Sequence, residues 1–268
     1  IVLLFLLMVQ KMFKIIDCHV HVGEYRIISP KIYGWMQVSS EDLLNYMSDF
    51  NIKRSWLLSH PKTVPNYDLN DNKATLDIAS RHPDLVPFCT PSRASDISTL
   101  VKMGCEGIGE IKNDKPIDHS KLLDIYRVAA DFNLPVLIHV SDKYCYGSID
   151  QMEFVFNTHQ TNFILHGWGC WNLLKRKEAL NHILDSYQNV FLDISANSGY
   201  RTLIENDNSI LFLQKYSKKI LFGTDFPMLT TFDGSQFGAN KQHYNLIKKL
   251  SKEARDNIFW KNAEQLLK

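Results

Sequence analysis

The chain has 268 residues, 45% of them hydrophobic and 22% charged, which is the composition of a globular protein with a full core. Its 30 basic and 29 acidic residues leave a net charge of +1. That balance gives no electrostatic reason to expect nucleic acid or an anionic membrane as the main partner. The five cysteines (Cys18, Cys89, Cys105, Cys145 and Cys170) are scattered, without a C-x-x-C spacing. They point to reduced thiols in a cytoplasm rather than to a disulfide framework.

The chain opens on "IVLLFLLMV", apolar throughout but far short of the ~20 residues that span a bilayer. It lacks the basic flank and the small-residue cleavage site of a signal peptide. Residues 1–11 are read as an N-terminal extension, with the natural start at Met12 or Met8. A further strand covering the bottom of a barrel is the alternative. Residues 12–268 are expected to form one domain.

From there, apolar β-branched runs alternate with amphipathic stretches. "KIIDCHV" (14–20) reads as a strand, and "SSEDLLNYMSDFN" (39–51) as a helix capped by Ser39 or Ser40. Residues 24–38 between them read as a long loop. "KRSWLLS" (53–59) is a strand, and 71–83 a helix stopped at Pro83. "LVPFCTP" (85–91) is a strand, and 94–104 a helix ending at Gly104. "GIGEIK" (107–112) is a strand, and 118–133 a helix with Leu122, Ile125, Tyr126 and Ala129 on one face.

The second half keeps the rhythm: strands at 134–141, 162–167, 190–196 and 219–225, and helices at 148–160, 173–188 and 204–217. Residues 240–268 hold two short helical patterns. Eight strands, each followed by helical sequence, predict a parallel sheet closed as a single-domain (β/α)₈ TIM barrel. An open doubly wound sheet would carry a Gly-rich first turn, and "HVHVGEY" lacks one.

Active sites of such barrels lie at the C-terminal ends of the strands. In chain order those ends carry His19 and His21, His60, Arg93, Glu110 and Lys112, His139, His166, Asp193 and Asn197, and Asp225. Alternation in a strand turns His19 and His21 to the same side. Packing this many polar groups into one barrel mouth is costly unless they share a partner. A divalent cation is the simplest one, since imidazole and carboxylate are its ordinary ligands.

"DCHVH", "GIGEIK", "LIHV", "FILHGWG" and "LFGTDFP", each on its own strand and in this order, resemble the amidohydrolase superfamily, and most of all its amidohydrolase-2 branch. The resemblance runs from about Ile16 to Pro227. It implies that His19, His21 and Asp225 bind a buried metal. His139 and His166 would hold a second ion or complete the first site. Glu110 would bridge the two, with a modified Lys112 as the minor alternative. Asp225 would take a proton from the attacking water and return it to the leaving group. His166 would steady a transition-state oxygen if one ion is bound.

Arg93, Trp168 and His60 are the candidate substrate contacts, with Trp171, Tyr25, Trp35 and Tyr144 as weaker parts of a pocket wall. Asp17 reads as a supporting residue one layer deeper than His19. The ion is expected to be Zn²⁺, one or two per chain, with Mn, Fe and Ni compatible with the same ligands. The expected reaction is hydrolysis of a small carbonyl substrate (an amide, lactone or ester-like compound) by a metal-activated water. Single-metal decarboxylation or hydration of an aromatic or unsaturated acid is the alternative. A TatD-like phosphoesterase or nuclease comes third, and a metal-holding barrel without catalysis is the non-enzymatic reading. The expected partner is a small molecule, with neither nucleic acid nor membrane, and a homodimer is left open.

Overall fold

The computed structural model describes residues 14–28, 33–60, 67–69, 71–141, 143–166, 177–195, 208–227 and 245–267. Among these the strands are β1 (Ile16–Val20), β2 (Gly23–Ile28), β3 (Tyr33–Val38), β4 (Arg54–Leu58), β5 (Tyr67–Leu69), β6 (Leu85–Cys89), β7 (Gly107–Ile111), β8 (Val136–His139), β9 (Phe163–His166), β10 (Val190–Asp193) and β11 (Ile220–Leu221). Eight of them form one parallel sheet in the order β1-β4-β6-β7-β8-β9-β10-β11. The last strand returns to the first. Cys18 N donates to Phe222 O at 2.9 Å, Asp225 N to His19 O at 2.9 Å and His21 N to Phe226 O at 2.7 Å. The sheet therefore curls into the expected (β/α)₈ barrel.

Helices follow the strands where the sequence places them, at Ser40–Asp49, Asn72–Arg81, Ser120–Asp131, Ile149–Thr158, Lys177–Ser186 and Ser209–Lys215. Their starts are set by side-chain caps. Ser39 and Asp42 form a reciprocal capping box, as do Ser148 and Gln151, and Asp71 accepts from Ala74 N. The helix expected over 94–104 divides into a 3₁₀ turn (Ala94–Asp96) and a short α-helix (Ile97–Lys102).

Period-two alternation sorts the strand residues into two cores. Leu57, Ile108, Ile138 and Leu165 face outward against the helices. Trp56, Phe88, Leu137 and Ile164 fill the barrel interior, with the Trp56 ring stacked on Phe88 at 4.6 Å. The C-terminal segment, helical at Lys252–Asp256 and Asn262–Leu266 around a π-helical turn, packs Ala263 and Leu266 against that interior. Asn262 Nδ2 pins it by donating to Ser217 O and Ile220 O at 2.8 and 2.7 Å. The alternative of a covering strand falls on residues 1–11, outside the described residues.

Residues 24–38 correct the sequence reading. Their described residues form two antiparallel strands, β2 and β3, with β5 on the other edge of β2. The runs "EYRII" and "YGWMQV" are rich in aromatic and β-branched residues, as strands are, and Ser29-Pro30 punctuates them. The alternation of helix and strand argues for a connection here, and the antiparallel strand pair inserted after β1 runs against that rhythm. No helix among the described residues is long and apolar enough to cross a membrane.

Candidate metal centre

The same alternation that fills the barrel also aims its polar residues. On four strands an inward apolar residue is followed two positions later by a polar one at the mouth: Leu58 by His60, Leu137 by His139, Ile164 by His166 and Phe191 by Asp193. Two strands need a change of parity to do this. On β1, Ile16 and Cys18 pack inward and Val20 outward, and the pairing register slips between Asp17 and Val20. That irregularity admits both His19 and His21 to the mouth. On β7 the register slips between Ile108 and Ile111, both packed outward, and Gly109 takes up the extra residue at φ 141° so that Glu110 turns in. A Cβ on Gly109 would stand 2.7 Å from Leu137 O, so only glycine suits this position.

The buried carboxylate of Asp193 organises two imidazoles. Its Oδ2 accepts from His19 Nδ1 at 2.6 Å, from His166 Nδ1 at 3.0 Å and from Ser195 Oγ at 2.8 Å, while Oδ1 accepts from Ser195 N at 2.8 Å. Burial alone would raise its pKa, but the His19 and His166 rings outweigh burial and hold it well below the usual carboxylate range. His21 is fixed differently: its Nδ1 lies 3.0 Å from the carbonyl oxygen of Leu58, which can only accept. All three rings therefore donate through Nδ1 and turn Nε2 into the mouth.

That arrangement carries the case for a cation. His19 Nε2 and His21 Nε2 face each other at 3.1 Å, both fully buried. Two neutral rings with Nδ1 protonated would point lone pairs at one another. Asp225 Oδ1 stands 3.5 Å from the first and 3.7 Å from the second, and Glu110 Oε2 stands 3.8 Å from His21 Nε2. Neighbouring ligands ~2.1 Å from one ion lie ~3.0–3.4 Å from each other; the 3.1 Å pair falls in that range, and the separations of 3.5, 3.7 and 3.8 Å are a few tenths of an ångström longer. Burial opposes a charge on His19, yet Asp193, Asp225 and Glu110 together lift its pKa to about 9. Burial and then the His19 charge push His21 well below its ordinary value. The site attracts positive charge, and the residues fit a divalent metal.

A second cluster shares Glu110. Its Oε1 lies 2.5 Å from His139 Nδ1 and 3.8 Å from His166 Nε2. Glu110 is held well below the usual carboxylate range: burial would raise it, and the charges of Lys112, His139 and His166 overcome burial. Burial lowers His139 to about 4 against the pull of Glu110. Asp225 is raised by burial, with Glu110 adding to the effect. It sits in the left-handed region at φ 58°, held there by its N–H bond to His19 O. Asp17 lies beneath, as expected. It accepts from His19 N at 3.1 Å and from Thr224 N and Oγ1 at 3.0 and 2.6 Å, tying β1 to the end of the last strand.

The structure thus gathers His19, His21, Glu110, His139, His166 and Asp225 at one mouth. His60 joins them, buried, with Nε2 3.9 Å from Glu110 Oε2. Tyr144 packs edge-on against His139 at 5.7 Å. Arg93 is not brought there: its side chain is 76% exposed and pairs with Asp96 at 3.0 Å. Trp168, Trp171 and Asn197 lie outside the described residues, as do the side chains of Tyr25 and Trp35. The ligand reading gave Asp193 and Ser195 no role in the site. The signal available was "LDIS", a carboxylate and a hydroxyl two residues apart at the end of an apolar strand.

A parallel barrel with histidines and carboxylates converging at its strand tips defines the class of metal-dependent barrel hydrolases. The profile of the amidohydrolase family matches residues 16–268, and the chain belongs to that family. Comparison with curated protein sequences finds no match. Among solved structures it is similar to a probable 2-pyrone-4,6-dicarboxylic acid hydrolase from Acinetobacter baumannii with citric acid bound. The TM-score is 0.70 at 14% identity, over 95% of this chain and 99% of that one. It is also similar to a 5-carboxyvanillate decarboxylase from Novosphingobium aromaticivorans complexed with manganese (TM-score 0.58, 14% identity, 84% and 79% covered). A 2,6-dihydroxybenzoate decarboxylase gives a TM-score of 0.64 at 15% identity, over 96% and 99% of the two chains.

Proposed function

We propose that the protein hydrolyses a small carbonyl compound, a lactone, ester or cyclic amide, at a centre built on His19, His21, Asp225 and Glu110. The observation that carries this reading is the pair of Nε2 atoms facing each other at 3.1 Å with Asp225 beside both. A bound divalent ion, read here as Zn²⁺, would polarise the carbonyl and make its water a usable nucleophile near neutral pH. Asp225 takes the proton released as the water's oxygen bonds to the carbonyl carbon. It passes that proton to the leaving oxygen or nitrogen as the acyl bond breaks. Its burial, which raises its pKa, suits it to carry a proton both ways. Asp193 keeps His19 and His166 turned with Nε2 inward throughout. A cytoplasmic setting suits the four described cysteines, all of them free thiols.

Glu110 belongs to both clusters, one oxygen toward His21 and one toward His139 and His166. That sharing supports a bridge between two ions. The 2.5 Å bond between Glu110 and His139 supports the second reading, a single-ion centre that decarboxylates an aromatic acid. Elemental analysis of the purified protein, set beside assays for lactone and amide hydrolysis and for CO₂ release, separates the two. Two ions with hydrolysis, both reduced in Glu110→Ala, sustain the first. One ion retained in Glu110→Ala, with CO₂ release from acids, replaces it with the second. No bound ion in either protein overturns both.

A further inference from the structure

We infer that Ser59, Asn72 and Thr90 clamp the main chain of Glu110, and that Thr90 is thereby a positioning residue for the metal centre. The inference rests on the reading of Glu110 as a ligand given above and adds the residues that hold it in place. None of the three belongs to the ligand set. Glu110 needs such support because the slip on β7 takes it out of regular pairing. The ladder between β6 and β7 runs through Phe88–Gly107 and Cys89–Ile108 and ends there, since β6 ends at Cys89. A buried main-chain N–H left without an acceptor is costly. Glu110 N finds its acceptor beyond the neighbouring strand. It donates across the end of β6 to Ser59 O, just past β4, at 3.3 Å.

Thr90 fills the gap that this crossing leaves. Its Oγ1 stands 3.2 Å from Ser59 O and 3.2 Å from Glu110 O, so its one hydrogen serves the carbonyls on both sides. Asn72, the first residue of helix Asn72–Arg81, holds Thr90 by both main-chain groups. Its Oδ1 accepts from Thr90 N at 2.8 Å and its Nδ2 donates to Thr90 O at 2.9 Å. The buried Ser59 hydroxyl closes the ring, donating to Asn72 Oδ1 at 2.7 Å and accepting from Thr90 N at 2.8 Å. Three strand ends and one helix start are thus tied together at the main chain of Glu110. The carboxylate carried there reaches His21 with one oxygen and His139 with the other. A site of this kind tolerates displacements of only ~0.5 Å, so a loosened Glu110 main chain weakens ion binding.

Competition of the protein with a chromophoric chelator for Zn²⁺ tests this. Thr90→Val exchanges the hydroxyl for a methyl of like size. It is expected to weaken Zn²⁺ binding about 10–100-fold, the usual worth of a group that orients a ligand. Thr90→Ser keeps the hydroxyl and should restore the affinity. Asn72→Ala should act in the same direction, and it replaces Thr90→Val if that variant does not fold. Thr161→Val is the control, since its buried hydroxyl donates to Leu134 O at 2.6 Å at the opposite end of the barrel. It should lower the melting temperature and leave Zn²⁺ affinity within about twofold. Asn72, Thr90 and His60 also line the cleft beside the centre, so KM alone would not separate positioning from substrate contact. A double-mutant cycle does: in a Glu110→Ala background, Thr90→Val should cost no further affinity. Where Glu110→Ala loses affinity, native binding in Thr90→Val overturns the inference. So does a loss that persists in Glu110→Ala, or an equal loss in Thr161→Val. Amide hydrogen exchange of the metal-free protein supplies the second reading. Glu110 N–H should exchange about fivefold faster or more in Thr90→Val, in line with the loss of one hydrogen bond, and an unchanged rate overturns the clamp. If Glu110→Ala binds Zn²⁺ as the native protein does, the reading of Glu110 as a ligand fails, and the exchange rate then decides the clamp by itself.

Discussion

The two ends of the barrel interior are built by the same strands and the same alternation, yet they hold opposite chemistry. Below, Trp56, Phe88, Leu137 and Ile164 interlock and Leu266 closes the layer from the C-terminal helix. Two positions beyond Leu137 and Ile164 stand His139 and His166, with His60 four beyond Trp56 and, beside them, Asp193 and Glu110, all buried or nearly so. The lower layer stabilises itself, since each large apolar side chain contributes about 1.5–3 kcal/mol by leaving water. The upper layer is a set of desolvated polar groups whose cost is offset only through partners. The fold thus supports a site that does not help the fold, a division common to enzymes that keep strained or polar centres.

The sharpest way to break that division is at the bottom. Trp56→Ala leaves a cavity beneath Phe88 and should cost about 3–5 kcal/mol in urea unfolding. Metal affinity of the folded fraction should stay within about twofold, because Trp56 belongs to the apolar layer below the mouth, four residues before His60 on its strand. A large loss of metal affinity at unchanged stability would show that the two layers are coupled.

At the top the expected pattern reverses. Asp225→Asn keeps the shape of the side chain and tolerates the left-handed backbone, so the protein should melt at the same temperature or higher. Turnover should fall about 10²–10⁴-fold, the usual worth of a positioned acid–base group. Asp193→Asn acts one step further out. The carboxylate uses both oxygens, Oδ2 for the two rings and Oδ1 for Ser195 N, so an amide either turns its NH₂ on the Ser195 N–H or turns it on His19 and His166, and the rings lose their fixed orientation. Metal affinity, measured by competition with a chromophoric chelator, should fall about 10–100-fold. Gly223→Ala should act in the same direction, because a Cβ there would overlap Asp193 Oδ1.

The same contrast explains what could be read in advance. The lower layer and the strand tips follow a strict period of two, and a period survives translation into one dimension. Thus the barrel and the histidines of β4, β8 and β9 at its mouth were legible. His19 and Glu110 reach the mouth only because β1 and β7 each slip register by a residue, and no local sequence rule announces that slip beyond Gly109. Asp193 was visible as a strand-tip acid, but its hold on two rings depends on partners 174 and 27 residues away. The antiparallel pair of β2 and β3 was hidden for the opposite reason: its local β pattern is clear, but the larger rhythm argues for a connection.

Arg93 gives the smallest expected effect and the cleanest test of that limit. As a sequence feature it stands after a strand tip, where an arginine could hold an anionic substrate. In the fold it lies at the start of a 3₁₀ turn, 76% exposed and paired with Asp96 three residues on. Exposed pairs of this kind contribute little. Arg93→Ala should therefore change kcat/KM less than about twofold, the scale of an ordinary surface substitution. If Arg93→Ala instead raises KM strongly, the substrate reaches over the outer rim of the mouth. The division between an active interior and a neutral surface would then have to be redrawn at β6.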